Sequence, residues 1–136
     1  MSFAKYLICF LSVLLIVGCA SGPRKGIGVV RKYELYEDKE TLVMLDDTVR
    51  RRLYVVDQSA SWTDDGRLTA KARFLNKKDE TLRVQIQTIF KDEEGYKVDE
   101  TNWELILIPK NSYHYYEAKS LNDKASKYTI RCKLAQ

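Results

Sequence analysis

The sequence predicts an all-β protein: one antiparallel β-sandwich of about seven strands. The first observation is alternation, because apolar side chains recur at every second position in several segments between residues 53 and 134. The second is spacing, since turn-forming residues divide these segments about every ten residues. The third is that no heptads and no long repeats interrupt this pattern. Short alternating segments separated by turns are typical of a sandwich.

An apolar segment at the start of the chain predicts a lipoprotein signal peptide over residues 1–18. Lys5 supplies a positive start, and residues 7–18 are apolar apart from one serine. A helix of that length spans about 18 Å, too short for the ~30 Å hydrocarbon core but typical of a signal peptide. The segment ends in Leu15-Ile16-Val17-Gly18-Cys19. We therefore expect cleavage before Cys19 and lipid on its thiol; a plain secretory signal or a buried core helix is the alternative.

Residues 19–28 predict a lipidated cysteine followed by a flexible tether. Glycine and proline are frequent there, and Arg24 and Lys25 fit either contact with anionic headgroups or solvent. Ala20 follows Cys19 where an aspartate would resemble the inner-membrane retention pattern. We therefore expect a lipid-anchored protein of a Gram-negative outer membrane that faces the periplasm. Residues 29–136 are predicted to form the sandwich domain.

Charge and cysteine content narrow the class of protein further. Without the signal the chain has 22 basic residues, since Lys5 is lost from 23, against 19 acidic ones. These charges are mixed along the chain, which argues against a nucleic-acid-binding protein. Cys9 leaves with the signal and Cys19 carries lipid, so Cys132 alone remains and no intramolecular disulfide is expected. The alternation around Cys132 predicts that its thiol faces inward.

The first part of the predicted domain, residues 29–52, has the least regular pattern. Two short runs have strand composition: Val29-Val30 and Leu42–Leu45. Residues 33–40 fit a hairpin, an edge strand or a helical turn. The run Asp46-Asp47-Thr48 predicts a turn or a helix cap. Arg50-Arg51-Arg52 fits a solvated turn or a contact with an anionic partner.

The remainder of the chain has a clear period of two. The predicted strands are 53–62, 68–74, 82–90, 96–98, 103–108, 113–118 and 128–134. Asp65-Gly66 and Glu94-Gly95 supply turn residues between them, and Pro109 ends a strand because it has no N–H for the ladder.

The sequence offers little for catalysis or metal binding. His114 is the only histidine, so a Ser-His-Asp or Cys-His arrangement would require it. It lies in a predicted strand, with no sharp nucleophile turn nearby. One histidine and one free cysteine far apart do not make a zinc site, and the acidic pairs lie in predicted turns without calcium-loop spacing. We expect no enzyme activity, no metal and no cofactor.

The aromatic residues are the best candidates for a binding surface. The predicted surface consists of Tyr113, His114, Tyr115 and Tyr116 on one strand, with Trp103. Tyrosine and tryptophan combine an apolar body with a polar tip, which suits interfaces. Strand alternation requires that some of these rings face outward. The alternative is that they fill the core of a small sandwich.

A series of short motifs runs through two-thirds of the chain. They are Leu53-Tyr-Val-Val-Asp57, Gly66-Arg-Leu68, Phe74-Leu75-Asn76, Phe90-Lys-Asp92 with Gly95 and Val98, Trp103, and Tyr128-Thr-Ile130. In this order, and together with the lipoprotein cysteine, they resemble the YcfL-like family of small periplasmic lipoproteins, whose function is uncharacterised. The resemblance implies an immunoglobulin-like β-sandwich at the outer membrane. It transfers no catalytic residue and does not cover residues 29–47.

These features predict a non-catalytic binding or adaptor module of the cell envelope. Its expected partners are the membrane, through the lipid anchor, and an envelope protein or peptidoglycan-related partner, met through an exposed face or an edge strand. One alternative is an accessory or regulatory subunit of an envelope machine, such as peptidoglycan synthesis. Another is an envelope hydrolase or lyase that uses tyrosine and acidic side chains.

Overall fold

The computed structural model describes residues 41–136, which form two packed β-sheets. Strands contain 59% of these residues and helix 6%, so the predicted all-β sandwich is confirmed. The predictions for the signal peptide (1–18), the lipidated Cys19 and tether (19–28) and residues 29–40 lie outside the described residues.

The described chain forms one short strand, one short helix and seven further strands. Their bounds are β1 (Leu42–Met44), α1 (Asp47–Arg52), β2 (Leu53–Trp62), β3 (Leu68–Asn76), β4 (Leu82–Lys91), β5 (Lys97–Glu100), β6 (Glu104–Ile108), β7 (Ser112–Lys119) and β8 (Lys127–Leu134). The seven strands predicted from residue 53 onward are all present. The eighth is β1, one of the two short runs with strand composition.

The strands divide into a three-stranded sheet, β2-β3-β7, and a five-stranded sheet centred on β4. One edge of β4 pairs with β8; the other pairs with β6 along residues 82–86 and with β5 along residues 89–91. Every strand pair among the described residues is antiparallel except β1–β8, so there the antiparallel prediction is wrong. Parallel neighbours need a long connection, and the chain between β1 and β8 includes the whole of the other sheet.

Asp46 is the N-cap of α1, which agrees with the predicted turn or helix cap at residues 46–48. Its Oδ1 accepts a hydrogen bond from the backbone N–H of Val49 at 2.8 Å. Its Oδ2 accepts one from the backbone N–H of Leu134 at 2.7 Å, which connects the helix to the end of β8. The three arginines lie in the last turn of α1, and Arg50 and Arg51 are exposed to solvent. Positive charge is favourable at this end of a helix. Arg52 also pairs with Glu80 at 2.5 Å.

Alternate side chains of both sheets meet in one apolar core. Its largest fully buried members are Phe74, Phe90, Leu68, Leu82, Ile86, Ile108 and Ile130. Cys132 is buried with them as a free thiol, in the inward position that the alternation predicted. Burial raises the pKa of the Cys132 thiol to about 12, so the reactive thiolate is absent near neutral pH.

Asn76, at the end of β3, is a fully buried polar residue. Its Nδ2 lies 2.8 Å from the carbonyl oxygen of Glu80 and 3.0 Å from that of Ile108. Its Oδ1 accepts a hydrogen bond from the backbone N–H of Lys78 at 3.0 Å. Asn76, on the three-stranded sheet, therefore holds both the β3–β4 loop and the end of β6, a strand of the five-stranded sheet.

Candidate functional site

Strand β7 places the predicted aromatic cluster on two opposite faces. Tyr113 and Tyr115 point outward and are 56% and 71% exposed. His114 and Tyr116 point toward the other sheet, because successive side chains of a strand alternate. The four residues therefore do not form one surface.

Tyr116 is a correction to the predicted binding surface, because it is buried in the core. Its hydroxyl lies 2.9 Å from Oγ1 of Thr88, on β4 of the opposite sheet, and the two hydroxyls share a hydrogen bond. Burial raises the pKa of the Tyr116 phenol, while the Thr88 hydrogen bond opposes that rise. Tyr116 thus bridges the two sheets.

His114 is half-buried on the inner side of β7, where it pairs in register with Phe74 of β3. Burial lowers the pKa of His114, and the negative charge of Glu104 partly opposes this. The imidazole is therefore held mainly in its neutral form around pH 7. This position separates His114 from the outward tyrosines.

The outward tyrosines flank an arginine that the sequence prediction had not included. The guanidinium carbon of Arg73 lies 5.8 Å from the ring centre of Tyr113 and 6.0 Å from that of Tyr115. Nη2 of Arg73 lies 2.5 Å from Oδ2 of Asp57. We call these outward residues, with Tyr54, the tyrosine face. On this face the guanidinium of Arg73 lies between the rings of Tyr113 and Tyr115, where cation–π interactions stabilise it.

The tyrosine face crosses the whole three-stranded sheet, from β7 through β3 to β2. On β2 the ring of Tyr54 is exposed, and Nζ of Lys77 lies 4.4 Å from its centre. Farther along the same face, Lys71 pairs with Glu117 at 3.2 Å. Arg73, Lys77 and Lys71 on this face are therefore each held in place by a neighbouring ring or carboxylate.

Strand β2 is an open edge beside the tyrosine face. It pairs only with β3, and no strand among residues 41–136 covers its other side. Nine of its ten residues are exposed, and Asp57 is the single charged one. A register shift between Val55 and Asp57 bulges the strand. An exposed edge of this length is a template for pairing with another strand, and a bulge limits that pairing without abolishing it.

Trp103 lies on the opposite side of the sandwich from the tyrosine face. Its ring centre is 4.2 Å from Nζ of Lys133 and 5.3 Å from Cζ of Arg131, both on β8. It is half-buried beside these two cations, on the outer face of the five-stranded sheet. The predicted single aromatic surface is therefore wrong in this respect as well: its members occupy both sheets and the core.

The described residues hold no group of three or more histidine, cysteine, aspartate or glutamate side chains placed to bind a metal ion. Their single helix, α1, has six residues, and no helix in residues 41–136 is long and apolar enough to cross a membrane.

Two solved structures share this fold. The crystal structure of Campylobacter jejuni cj0090 matches with a TM-score of 0.56 at 12% identity, over 70% of this chain and 98% of its own. The crystal structure of a DUF1425 family member from Shewanella sp. pv-4 matches with a TM-score of 0.56 at 19% identity, over 62% of this chain and 79% of its own. At such identities the likeness shows the fold alone.

No protein-family model matches the sequence, and a search of curated proteins finds no match.

Proposed function

We propose that this chain is a non-catalytic binding or adaptor module of the bacterial cell envelope that meets its partner through the three-stranded sheet. One observation carries the proposal: the exposed edge of β2 lies directly beside the tyrosine face. No strand among residues 41–136 pairs with the outer edge of β2, and the face offers rings and a positioned cation, so the two together suit an extended segment of another protein.

The edge would supply most of the affinity and the face most of the specificity. A strand added to β2 would form a ladder of backbone hydrogen bonds that any sequence can make. Its alternate side chains would then project over the outer side of β2, next to Tyr54 and Asp57. Exposed tyrosines contribute large contact areas with a polar tip, which is why they are enriched in interfaces.

We further propose that the chain is a YcfL-like lipoprotein, anchored by lipid on Cys19 in the outer membrane and facing the periplasm. The support is the apolar segment that ends in Gly18-Cys19, the short motifs after residue 53, and a fold shared with small bacterial proteins. Each buried CH₂ of an acyl chain contributes about 0.8 kcal/mol, so two or more chains anchor a protein stably.

Site-directed photocrosslinking in cells tests the proposed partner surface. A photoreactive amino acid replaces Ser59, which is exposed and points outward on β2, and in a matched control it replaces Lys127, which is exposed on β8. We expect one specific envelope partner from position 59, about tenfold weaker when Tyr113→Ala and Tyr115→Ala are combined. Recovery of only abundant porins, or the same products from both positions, would contradict the proposal.

The identity of the crosslinked partner also separates the alternatives. A peptidoglycan synthase would make the chain an accessory subunit of that machine. Soluble fragments released from purified sacculi by the protein alone would favour the envelope hydrolase instead.

Fractionation of cells that express Cys19→Ser tests the anchor. Without the thiol no acyl chain can be attached, so we expect the protein in the soluble periplasmic fraction. Retention of an uncleaved protein in the membrane fraction would instead make residues 1–18 a true membrane anchor.

A further inference from the structure

The outer face of the five-stranded sheet combines exposed leucines, a tryptophan and three basic residues. Leu105 and Leu107 on β6 are 51% and 57% exposed. Trp103 lies just before them, against the cations of β8. We call this surface the cationic face; its members are Trp103, Leu105, Leu107, Arg83, Arg131 and Lys133.

The register of three strands places these side chains side by side. Gln85 of β4 pairs with Leu105 of β6 on one side and with Lys133 of β8 on the other. Two residues along the strand, and therefore on the same face, Arg83 of β4 faces Leu107. The leucines, the basic residues and the tryptophan therefore form one continuous surface rather than scattered contacts.

The cationic face is positive, because β4, β6 and β8 place no acidic side chain on it. Glu104 is the only acid on β4, β6 or β8, and it pairs with Ile86, whose side chain is in the core. Glu100 of the neighbouring β5 pairs with Lys97 at 3.3 Å. Neither Arg83 nor Lys133 makes an ion pair with an acidic residue between positions 41 and 136. Arg131 donates to Gln87 and lies over the Trp103 ring.

We propose that the cationic face docks on the surface of an anionic phospholipid bilayer. Charge complementarity favours this occupant, because lipid phosphates attract basic side chains within about one Debye length. Tryptophan is enriched at membrane–water interfaces, and leucine gains stability by entering the boundary between headgroups and acyl chains. The cationic face holds all three residue types.

Docking in this orientation leaves the tyrosine face and β2 directed away from the bilayer. The first described strand, β1, belongs to the same five-stranded sheet as the cationic face. The proposal does not rest on the tyrosine face, and it concerns contact by the folded domain, independent of acylation.

Vesicle sedimentation tests the proposal with unacylated protein, the chain from residue 19 onward carrying Cys19→Ser. The vesicles are phosphatidylcholine alone or phosphatidylcholine with about one third phosphatidylglycerol. We expect partition only into the anionic vesicles. Arg83→Gln combined with Lys133→Gln should weaken it about tenfold or more, since each basic residue near such a surface contributes substantially. Leu105→Ser combined with Leu107→Ser should weaken it about fivefold.

The matched control removes two positive charges from the other sheet: Lys71→Gln combined with Lys119→Gln, both exposed on the outer side of the three-stranded sheet. We expect less than about a twofold change, because the net charge falls equally but the cationic face is intact. An equal loss in this control would reduce the effect to net charge and overturn the proposal. Circular dichroism verifies that every variant is folded.

The emission of Trp103 provides a readout of orientation. The chain has two tryptophans, so Trp62→Phe leaves Trp103 as the only reporter. We expect a blue shift on adding anionic vesicles. Binding without that shift would place another surface on the bilayer and overturn the proposal. Absence of binding by folded protein would overturn it too, and would point to an anionic polymer or a protein as the occupant.

Discussion

The two sheets of the sandwich share a core but present different surfaces to solvent. On the three-stranded sheet, basic groups have neighbours: Arg73 pairs with Asp57 and lies between two rings, and Lys71 pairs with Glu117. On the five-stranded sheet, Arg83 has no acidic partner among residues 41–136. One face has local, paired charge, whereas on the other Arg83 and Lys133 have no acidic partner among residues 41–136 and lie beside exposed leucines.

This difference is the reason that we propose two kinds of partner. Paired charges and ordered rings favour contacts with defined geometry, as a protein segment provides. Uncompensated positive charge attracts any extended anionic surface, with little geometric demand. The two strands differ as well: among residues 41–136, β2 pairs on one side only, whereas β4 pairs on both sides.

The largest expected effect contrasts the buried side of β4 with the exposed strand β2. Phe90→Ala should lower the free energy of unfolding by about 3–5 kcal/mol, because the fully buried ring leaves a cavity. Val55→Ala on β2 should cost about 0.5 kcal/mol or less, since its side chain already meets solvent. Urea denaturation measures both. Equal losses would mean that β2 is covered in solution.

The next effect concerns the connection between the sheets at Asn76. Asn76→Asp keeps the shape but replaces the donor amide with an oxygen that faces the carbonyls of Glu80 and Ile108. We expect a loss of about 2–3 kcal/mol at neutral pH. Asn102→Asp, in an exposed position between β5 and β6, is the matched control and should change stability by about 0.5 kcal/mol or less. A loss of similar size in both variants would remove the special role of Asn76.

A smaller effect separates adjacent tyrosines of β7. Tyr116→Phe removes the hydroxyl that bonds Thr88 across the core and should cost about 1–2 kcal/mol. Tyr115→Phe removes an exposed hydroxyl and should be nearly neutral. Thermal unfolding of the two variants tests the division of the cluster between faces. The reverse order of stability would place Tyr115 in the core.

The smallest effect is the titration of His114, which NMR can follow without assignment because the chain has one histidine. Burial predicts a midpoint below the usual value of about 6.5, and Glu104→Gln should lower it further by removing the opposing charge. Because the folded pKa is depressed, the contribution of His114 to stability is complete above the unfolded pKa. It decreases as pH falls from there toward the folded pKa. A midpoint above 6.5 would mean that Glu104, not burial, dominates.

The strands from Leu53 onward could be predicted because alternation is local: each strand shows in its own sequence which side is apolar. The same pattern contained an unused clue for the tyrosines, since Tyr115 shares its strand face with Glu117, and Tyr116 shares its face with Ala118. Charge on one side and a small apolar residue on the other identify the outward ring.

What alternation cannot show is which strands become neighbours. The pairing of Arg73 with Asp57 depends on the register of β3 and β2 and on the bulge in β2. The place of Trp103 beside β8 depends on β8 and β6 lying on either side of β4. The parallel pair β1–β8 and the hydrogen bond from Asn76 to the carbonyl oxygen of Ile108 are likewise long-range features. The local sequence pattern does not predict these contacts, because the residues that make them are far apart in the chain.

The two hydrogen bonds of Asp46 have a consequence for the order of folding. One starts α1, and the other holds the backbone of Leu134, 88 residues farther along. The central strand β4 also needs β8 to complete one of its edges. The five-stranded sheet therefore cannot close until the last described strand has been synthesised, and such long-range pairing is intrinsically slow. Until β8 is available, one edge of β4 therefore has no strand of the described chain to pair with.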